Sequence, residues 1–179
     1  MRQLKWMGVV AVLALAGTYA TLGAEDKPLG DQVKEQIQVF KNDDARVAKL
    51  FDTAYGYAVF PSIGKGAVGI GAAHGHGQVF EKGQLVGTAK MTQITLGLQL
   101  GGQKYAEVIF FENKDTLDSF KGSEWAMSAA ANAVAAGESA SADAKYKQGV
   151  LVYTIAKAGL MFEASVGGQK FKFTPLPKN

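Results

Sequence analysis

The chain has 179 residues, enough for one domain with a sizeable core, and its 47% hydrophobic and 20% charged residues argue against long disorder. Its formal net charge is +3, of which Arg2 and Lys5 supply two units, so the chain beyond residue 24 carries about +1. A nearly neutral chain does not support capture of nucleic acid by its whole surface. The absence of cysteine excludes disulfides, thiolate metal sites, cysteine nucleophiles and a lipid-modified cysteine.

The first 24 residues have the pattern of an export signal. A short basic region precedes an apolar run at residues 6–17, and small-residue cleavage sites follow, ending at Ala20 and Ala24. We therefore expect a cleaved signal peptide at 1–24, a single domain at 25–179, and a periplasmic or otherwise exported protein. The alternative is a retained membrane anchor, because the uncharged stretch approaches the roughly 20 residues that a spanning helix needs.

Two short helices are predicted at the start of the domain. Asp31 is placed to cap the first, which carries Val33 and Phe40 on one face. Asn42 is placed to cap the second, which includes Val47 on its apolar face. Because each helix is too short to be stable alone, both apolar faces must dock on other elements.

After the helices, the hydrophobic period changes from that of helices to that of strands. Glycines recur through residues 64–77, with apolar residues alternating between them. Residues 81–84 predict one hairpin. Gly101-Gly102 predicts a second hairpin, between the alternating strand at 93–100 and a return strand at 105–111.

The remaining elements complete a mainly antiparallel fold. Asn113 is placed to cap a short helix at 114–121, and strands are predicted at 150–155 and 160–166. The alanine-rich segment 125–136 favours a helix by propensity but also fits a tightly packed strand. The predicted fold class is α+β: a glycine-rich, mainly antiparallel sheet, sandwich or barrel-like core with two short N-terminal helices and one short middle helix.

Motifs of reaction chemistry are weak in this sequence. Residues 64–69 spell G-x-G-x-x-G, but Pro61 precedes them and strand rhythm follows, so we expect no nucleotide site. His74 and His76 could offer two imidazoles to a metal, with Glu81 as a distant third ligand, but histidines at a strand end are more often solvated. We expect no metal or other cofactor. No nucleophile with a partner base is recognisable, so we do not expect an enzyme.

Lysines recur at or near the predicted turns of the sheet. If these turns cluster at one end, the lysines would form a basic rim able to contact lipid phosphates. The alternative is that they only keep hairpins soluble and sheet edges unpaired. The lysines are Lys65, Lys82, Lys90, Lys104, Lys170 and Lys172.

The order and spacing of the glycine-centred blocks resemble the SYLF domain family. The blocks lie at residues 55–61, 64–71, 75–80, 97–111 and 149–173, within a resemblance that covers about 31–175. The resemblance implies binding of phospholipids, especially phosphoinositides, and actin bundling in fungal and animal members. It also favours strand over helix for the alanine-rich segment.

One departure from the family concerns the first helix. In eukaryotic members, lipid binding is attributed partly to a basic amphipathic helix at the start of the domain. Here that helix carries Lys34 and Lys41 beside Asp31 and Glu35, so its charge is nearly balanced.

From residues and resemblance together, we expect an exported, non-enzymatic phospholipid-binding protein. Its partners would be anionic membrane lipids, contacted by the six turn lysines together with Lys34 and Lys41, and not nucleic acid or nucleotide. The alternative is an envelope scaffold that binds a protein partner through a sheet edge.

Overall fold

A computed structural model describes seven ranges of the chain. They are residues 27–65, 71–95, 103–122, 124–127, 133–135, 145–158 and 168–177. Helices within these ranges are α1 (Leu29–Asp43), α2 (Ala45–Thr53) and α3 (Lys114–Phe120). Strands within them are β1 (Gly56–Lys65), β2 (Gly71–Glu81), β3 (Gln84–Thr95), β4 (Gln103–Phe111), β5 (Trp125–Ala126), β6 (Ala133–Ala135), β7 (Val150–Ala158) and β8 (Gln169–Pro175).

Several predictions from the sequence lie outside the described residues. These are the signal peptide at 1–24, the end of the G-x-G-x-x-G stretch at 66–69, the glycine pair at 101–102 and the strand at 160–166.

The described strands form one curled sheet. Their order across it is β5-β8-β3-β2-β1-β4-β7-β6. Neighbours are antiparallel except β6 and β7, which are parallel. With three helices added, the predicted α+β class is confirmed. The alanine-rich segment contributes β5 and β6, which confirms strand over helix in its described parts.

The predicted pairing of β3 with β4 is wrong. β3 lies between β2 and β8, and β4 lies between β1 and β7. The reason is burial. Residues of β4 from Tyr105 to Phe111 are buried on both faces, so this strand takes a central place, whereas alternate residues of β3 are exposed. A glycine pair is a local signal and does not decide which strands become neighbours.

Helices α1 and α2 dock on one face of the sheet, as their apolar stripes require. Val33, Phe40 and Val47 are at most 2% exposed in a core shared with β1, β4 and β7. The Phe51 ring makes an edge contact with Phe110, with 4.9 Å between the ring centroids. Docking therefore supplies the stability that two short helices lack by themselves.

Both predicted caps of these helices are wrong. α1 begins after Pro28, so Asp31 lies in its first turn, where a negative charge still favours the helix dipole. α1 continues through Asn42, and the chain leaves helical geometry at Asp44, which caps α2 instead. The Asp44 carboxylate accepts a 2.7 Å hydrogen bond from the backbone N–H of Arg46.

The opposite face of the sheet holds an aromatic core. The Phe171 ring of β8 lies 5.4 to 5.6 Å from the rings of Phe60, Phe120 and Trp125. Helix α3 brings Phe120 there, and its predicted cap is confirmed because Asn113 accepts a 3.0 Å hydrogen bond from a backbone N–H of the first turn. These contacts hold β8 against the inside of the curl.

The described glycines near β2 lie in antiparallel strands and in a tight turn. Lys82 and Gly83 have φ of 49° and 79°, the two successive positive values of a type I′ turn, so the hairpin at 81–84 is confirmed. Strands β1 and β2 are antiparallel and only residues 66–70 lie between them. A dinucleotide site needs a parallel strand reached through a crossover helix of a dozen or more residues.

A buried polar pair ties β8 to β4 across the interior. Glu107 of β4 and Gln169 of β8 are both 0% exposed, and three strands separate β4 from β8 in the sheet. Gln169 Nε2 donates to Glu107 Oε2 at 2.9 Å and to the Tyr105 hydroxyl at 3.3 Å. Burial, and then the charge of Glu107, raises the pKa of Tyr105. This hydrogen bond joins β8 to β4 across the inside of the curled sheet.

We expect Gly77→Ala to lower the free energy of unfolding by about 1–3 kcal/mol, because the added methyl group overpacks the core. A methyl group at this position would lie 2.5 Å from the Val59 carbonyl oxygen and 2.7 Å from the Phe60 ring. The matched control is Gly64→Ala in β1, where no atom lies within 4 Å of the new methyl. Urea titrations in which both variants lose equal stability would contradict this packing.

We expect Gln169→Leu to lower the free energy of unfolding by about 1–3 kcal/mol, because it removes one partner of a buried hydrogen bond. The variant Glu107→Leu with Gln169→Leu should recover part of that loss, since neither polar partner is then buried. Chemical denaturation followed by circular dichroism measures both. A single variant as stable as the wild type would show that the pair does not close the sheet.

Candidate functional site

The exposed side of β3 and β8 carries lysines at alternate positions. In β3, Ala89 and Met91 are 2% and 1% exposed, while Lys90 between them is exposed to solvent. In β8, Phe171 is 1% exposed, while Lys170 and Lys172 on either side of it are exposed. The strand period of two therefore puts these lysines on one face and the aromatic core on the other.

The register brings these lysines next to one another. Lys90 lies directly opposite Lys172, with an expected Cβ separation of about 5 Å. Lys170 lies opposite Thr92, two positions further along β3. We call Lys90, Lys104, Lys170 and Lys172 the basic face.

Lys104 joins the same face through the centre of the sheet. It pairs with Gly64 of β1, Gly64 pairs with His74 of β2, and His74 pairs with Thr92. Lys104 and Lys170 thus stand at the two ends of one cross-strand row. With strands about 4.8 Å apart, this row is about 19 Å long.

Acids do not neutralise most of this face. Lys170 lies 3.6 Å from Glu124, and both side chains are more than half exposed. Within the seven described ranges, Lys90, Lys104 and Lys172 make no ion pair. Like charges directly opposite each other in a sheet repel, so the pair of Lys90 and Lys172 favours a bound anion.

Three of the other predicted lysines, Lys34, Lys41 and Lys82, lie away from the basic face, so the lysines do not form one rim of turns, whereas Lys65 directly follows Gly64 of the cross-strand row. Lys82 occupies the β2–β3 turn at the opposite end of the strands, 5.2 Å from the centre of the Tyr55 ring. Lys34 lies 3.8 Å from Asp31, and Lys41 lies 3.7 Å from Asp52. Lys65 ends β1.

The N-terminal helices have balanced charge. Lys27 pairs with Glu35 at 2.6 Å, in addition to the pairs of Lys34 and Lys41. Arg46 pairs with the capping carboxylate of Asp44 at 2.7 Å. A membrane approaching α1 and α2 would meet a nearly neutral surface, whereas the basic face presents an excess of cations.

The structure gives no support to the metal hypothesis for His74 and His76. Both histidines are exposed, and Glu81 lies five or more residues further along β2. Glu81 accepts hydrogen bonds from the Tyr55 hydroxyl at 2.9 Å and from Lys121 Nζ at 3.0 Å. These two bonds lower the pKa of the Glu81 carboxyl, and the bond from Lys121 has the larger effect. The described ranges contain no cluster of three His, Asp or Glu residues that could hold a metal ion.

A shallow groove lies between α3 and β5. It has a volume of about 280 Å³, and its lining includes Asp115, Ser119 and Trp125. The Ser119 hydroxyl donates a 2.8 Å hydrogen bond to the backbone carbonyl of Asp115, as in an ordinary helical turn. This groove therefore contains no activated nucleophile with a partner base.

Two groups of residues were not recognised from the sequence. Glu107 interrupts an otherwise apolar strand, and this was the available signal for the buried tie to Gln169. For His74 and His76 the sequence indicated either metal ligands or solvated residues at a strand end, and it did not reveal that they share the face of Lys90 and Lys172. None of the helices in the described ranges has the length and apolar character needed to cross a bilayer.

Comparisons with known proteins find a matching family model and a related protein. The family model described as "Ysc84: Las17-binding protein actin regulator" matches residues 92–174, which include Lys104, Lys170 and Lys172. "Beta cell expansion factor A" from Aeromonas veronii is 35% identical over 136 residues, covering 75% of this chain and 51% of that protein. The chain spans about half the length of this relative. The predicted resemblance is confirmed: residues 92–174 of this chain belong to the SYLF (Ysc84) domain family, whose model they match.

Proposed function

We propose that this chain is an exported, non-enzymatic protein that binds anionic phospholipids at a membrane surface through its basic face. One observation carries the proposal: the fold gathers Lys90, Lys104, Lys170 and Lys172 on one exposed sheet face, where a single acid, Glu124, pairs with them among the described residues.

The magnitude of the electrostatic attraction is sufficient for reversible binding. Each lysine near an anionic membrane contributes about 1 kcal/mol, so four contribute about 4 kcal/mol. The attraction falls with salt because the lysines are exposed and the Debye length is about 8 Å at physiological ionic strength.

The shape of the surface also fits a membrane. Strands β2, β3 and β8 present their polar sides next to each other, while α1 and α2 cover the same face over β1, β4 and β7. Lys90 and Lys172 are close enough to share one phosphate group, and Lys104 and Lys170 are far enough apart to contact separate lipids.

The proposal also states that the protein is exported and does not catalyse a reaction. The basic and apolar pattern of residues 1–24 supports a signal peptide, and 25–179 is then the single exported domain. Membership of a family of binding domains supports a binding function, and the groove beside α3 offers no catalytic pair.

A protein partner is the second candidate, because the matching family model is described as a Las17-binding protein and actin regulator. The described sheet ends in β5 and β6, which have two and three residues. The lysines of the basic face project from the exposed side of the sheet and not along its edge, so the geometry favours the lipid surface.

We expect Lys90→Gln with Lys172→Gln to weaken binding of residues 25–179 to vesicles rich in phosphatidylglycerol by about 30-fold. The two lost charges correspond to about 2 kcal/mol, and every 1.4 kcal/mol is tenfold. Co-sedimentation at low salt gives the partition coefficient, and adding salt should lower it for the wild type.

The matched control is Lys34→Gln with Lys82→Gln, which removes the same net charge from α1 and from the β2–β3 turn. It should bind within about threefold of the wild type. Equal losses in both double variants would assign binding to net charge alone. Absence of wild-type binding at low salt would remove the proposal.

A further inference from the structure

His74 and His76 extend the basic face along β2. Ala73, Gly75 and Gly77 are buried on the inner side, so the two intervening imidazoles lie on the outer side, and both are exposed. His76 lies directly opposite Lys90, which lies opposite Lys172, so the three side chains form one row over β2, β3 and β8.

The second row repeats this arrangement. His74 lies between Gly64 of β1 and Thr92 of β3, and the row continues to Lys104 on one side and Lys170 on the other. Each imidazole is therefore within one or two strand spacings, about 5 to 10 Å, of a lysine.

We infer that His74 and His76 belong to the phospholipid-binding surface and make its affinity for anionic membranes rise in mildly acidic solution. This inference rests on the proposed function and adds a regulatory element to the same face. Protonation of both imidazoles would increase the cationic groups on this surface from four to six.

The charged groups around the two histidines are mainly cationic. From β1, Ser62 and Gly64 bring no charge. From β3, β8 and β4 the charged neighbours are the lysines of the basic face, with Glu124 paired to Lys170. Helix α1 contacts β2 near Gln78, through Gly30. The charged residues of that part of the chain are Lys27, Asp31, Lys34 and Glu35, which form the ion pairs described above.

Histidine is the side chain whose ordinary pKa lies between pH 5.5 and 7.5. An imidazole ordinarily titrates near pH 6.5, whereas carboxylates and lysines titrate well outside pH 5.5–7.5. His74 and His76 are the two histidines of the chain. Phosphatidylglycerol keeps its negative charge over this range, so the protein supplies the change. By linkage, a phosphate group that neutralises the neighbouring lysines also favours the protonated imidazoles.

The test measures partitioning of residues 25–179 onto phosphatidylglycerol–phosphatidylcholine vesicles at pH 7.5 and pH 5.5, at constant ionic strength. Two added charges at about fivefold each set an upper limit of roughly 30-fold, and incomplete protonation lowers it, so we expect about a tenfold rise. For His74→Gln with His76→Gln, the ratio of binding at pH 5.5 to binding at pH 7.5 should stay below twofold, with binding of the same variant at pH 7.5 as its reference. Both residues are exposed, so the variant should keep its fold, which circular dichroism checks.

The outcomes separate the two proposals. Binding at pH 7.5 with the same rise in wild type and double histidine variant would overturn this inference and leave the proposed function intact. No binding of the wild type at either pH would overturn both. An equal rise on vesicles of phosphatidylcholine alone would also overturn the inference, since no excess of anionic lipid would be involved. Loss of the rise in the histidine variant alone would establish it.

Discussion

The constraint on which this structure depends is the filling of the inner side of β2 by side chains from β1. A methyl group added at Gly77 would lie 2.7 Å from the Phe60 ring, and one added at Gly75 would lie 2.7 Å from the Ile63 side chain. Close packing of this kind leaves no room for a side chain at Gly75 or Gly77. The two histidines occupy the intervening positions 74 and 76, on the outer side of β2.

The same period of two continues through β3 and β8 and separates two surfaces. Inner positions such as Met91 and Phe171 build the aromatic core, and outer positions carry Lys90 and Lys172. The tie between Gln169 and Glu107 then holds β8 across the curl. The alternation of inner and outer side chains and one buried hydrogen bond thus set the spacing of the lysines in the proposed lipid-binding surface.

Local signals in the sequence predicted the local structure. The strand period, the turn at Lys82-Gly83 and the cap at Asn113 needed only neighbouring residues, and each is present. The pairing of β3 with β8 joins residues about 80 positions apart, so alternation alone did not reveal that Lys90 and Lys172 are neighbours. The cap of α1 was missed because the helix begins at Leu29, ahead of Asp31, and that of α2 because α1 continues through Asn42 to the break at Asp44.

Charge is distributed unevenly between the helices and the sheet. The resemblance to the SYLF family implies a basic first helix, yet the lysines of α1 are paired with acids, whereas Lys90, Lys104 and Lys172 of the strands make no ion pair within the described ranges. A net charge of about +1 beyond residue 24 conceals this asymmetry. Membrane association of this domain is therefore expected to depend on how the strands are arranged and little on overall charge.

The most direct test is the orientation of the domain on a bilayer, measured by paramagnetic relaxation in solution NMR with lipids spin-labelled at the headgroup. The account predicts that amide signals of His76, Lys90 and Lys172 broaden most, while those of α1 and of Lys82 keep their intensity. Broadening centred on α1 and α2, with the signals of β3 and β8 unchanged, would contradict it.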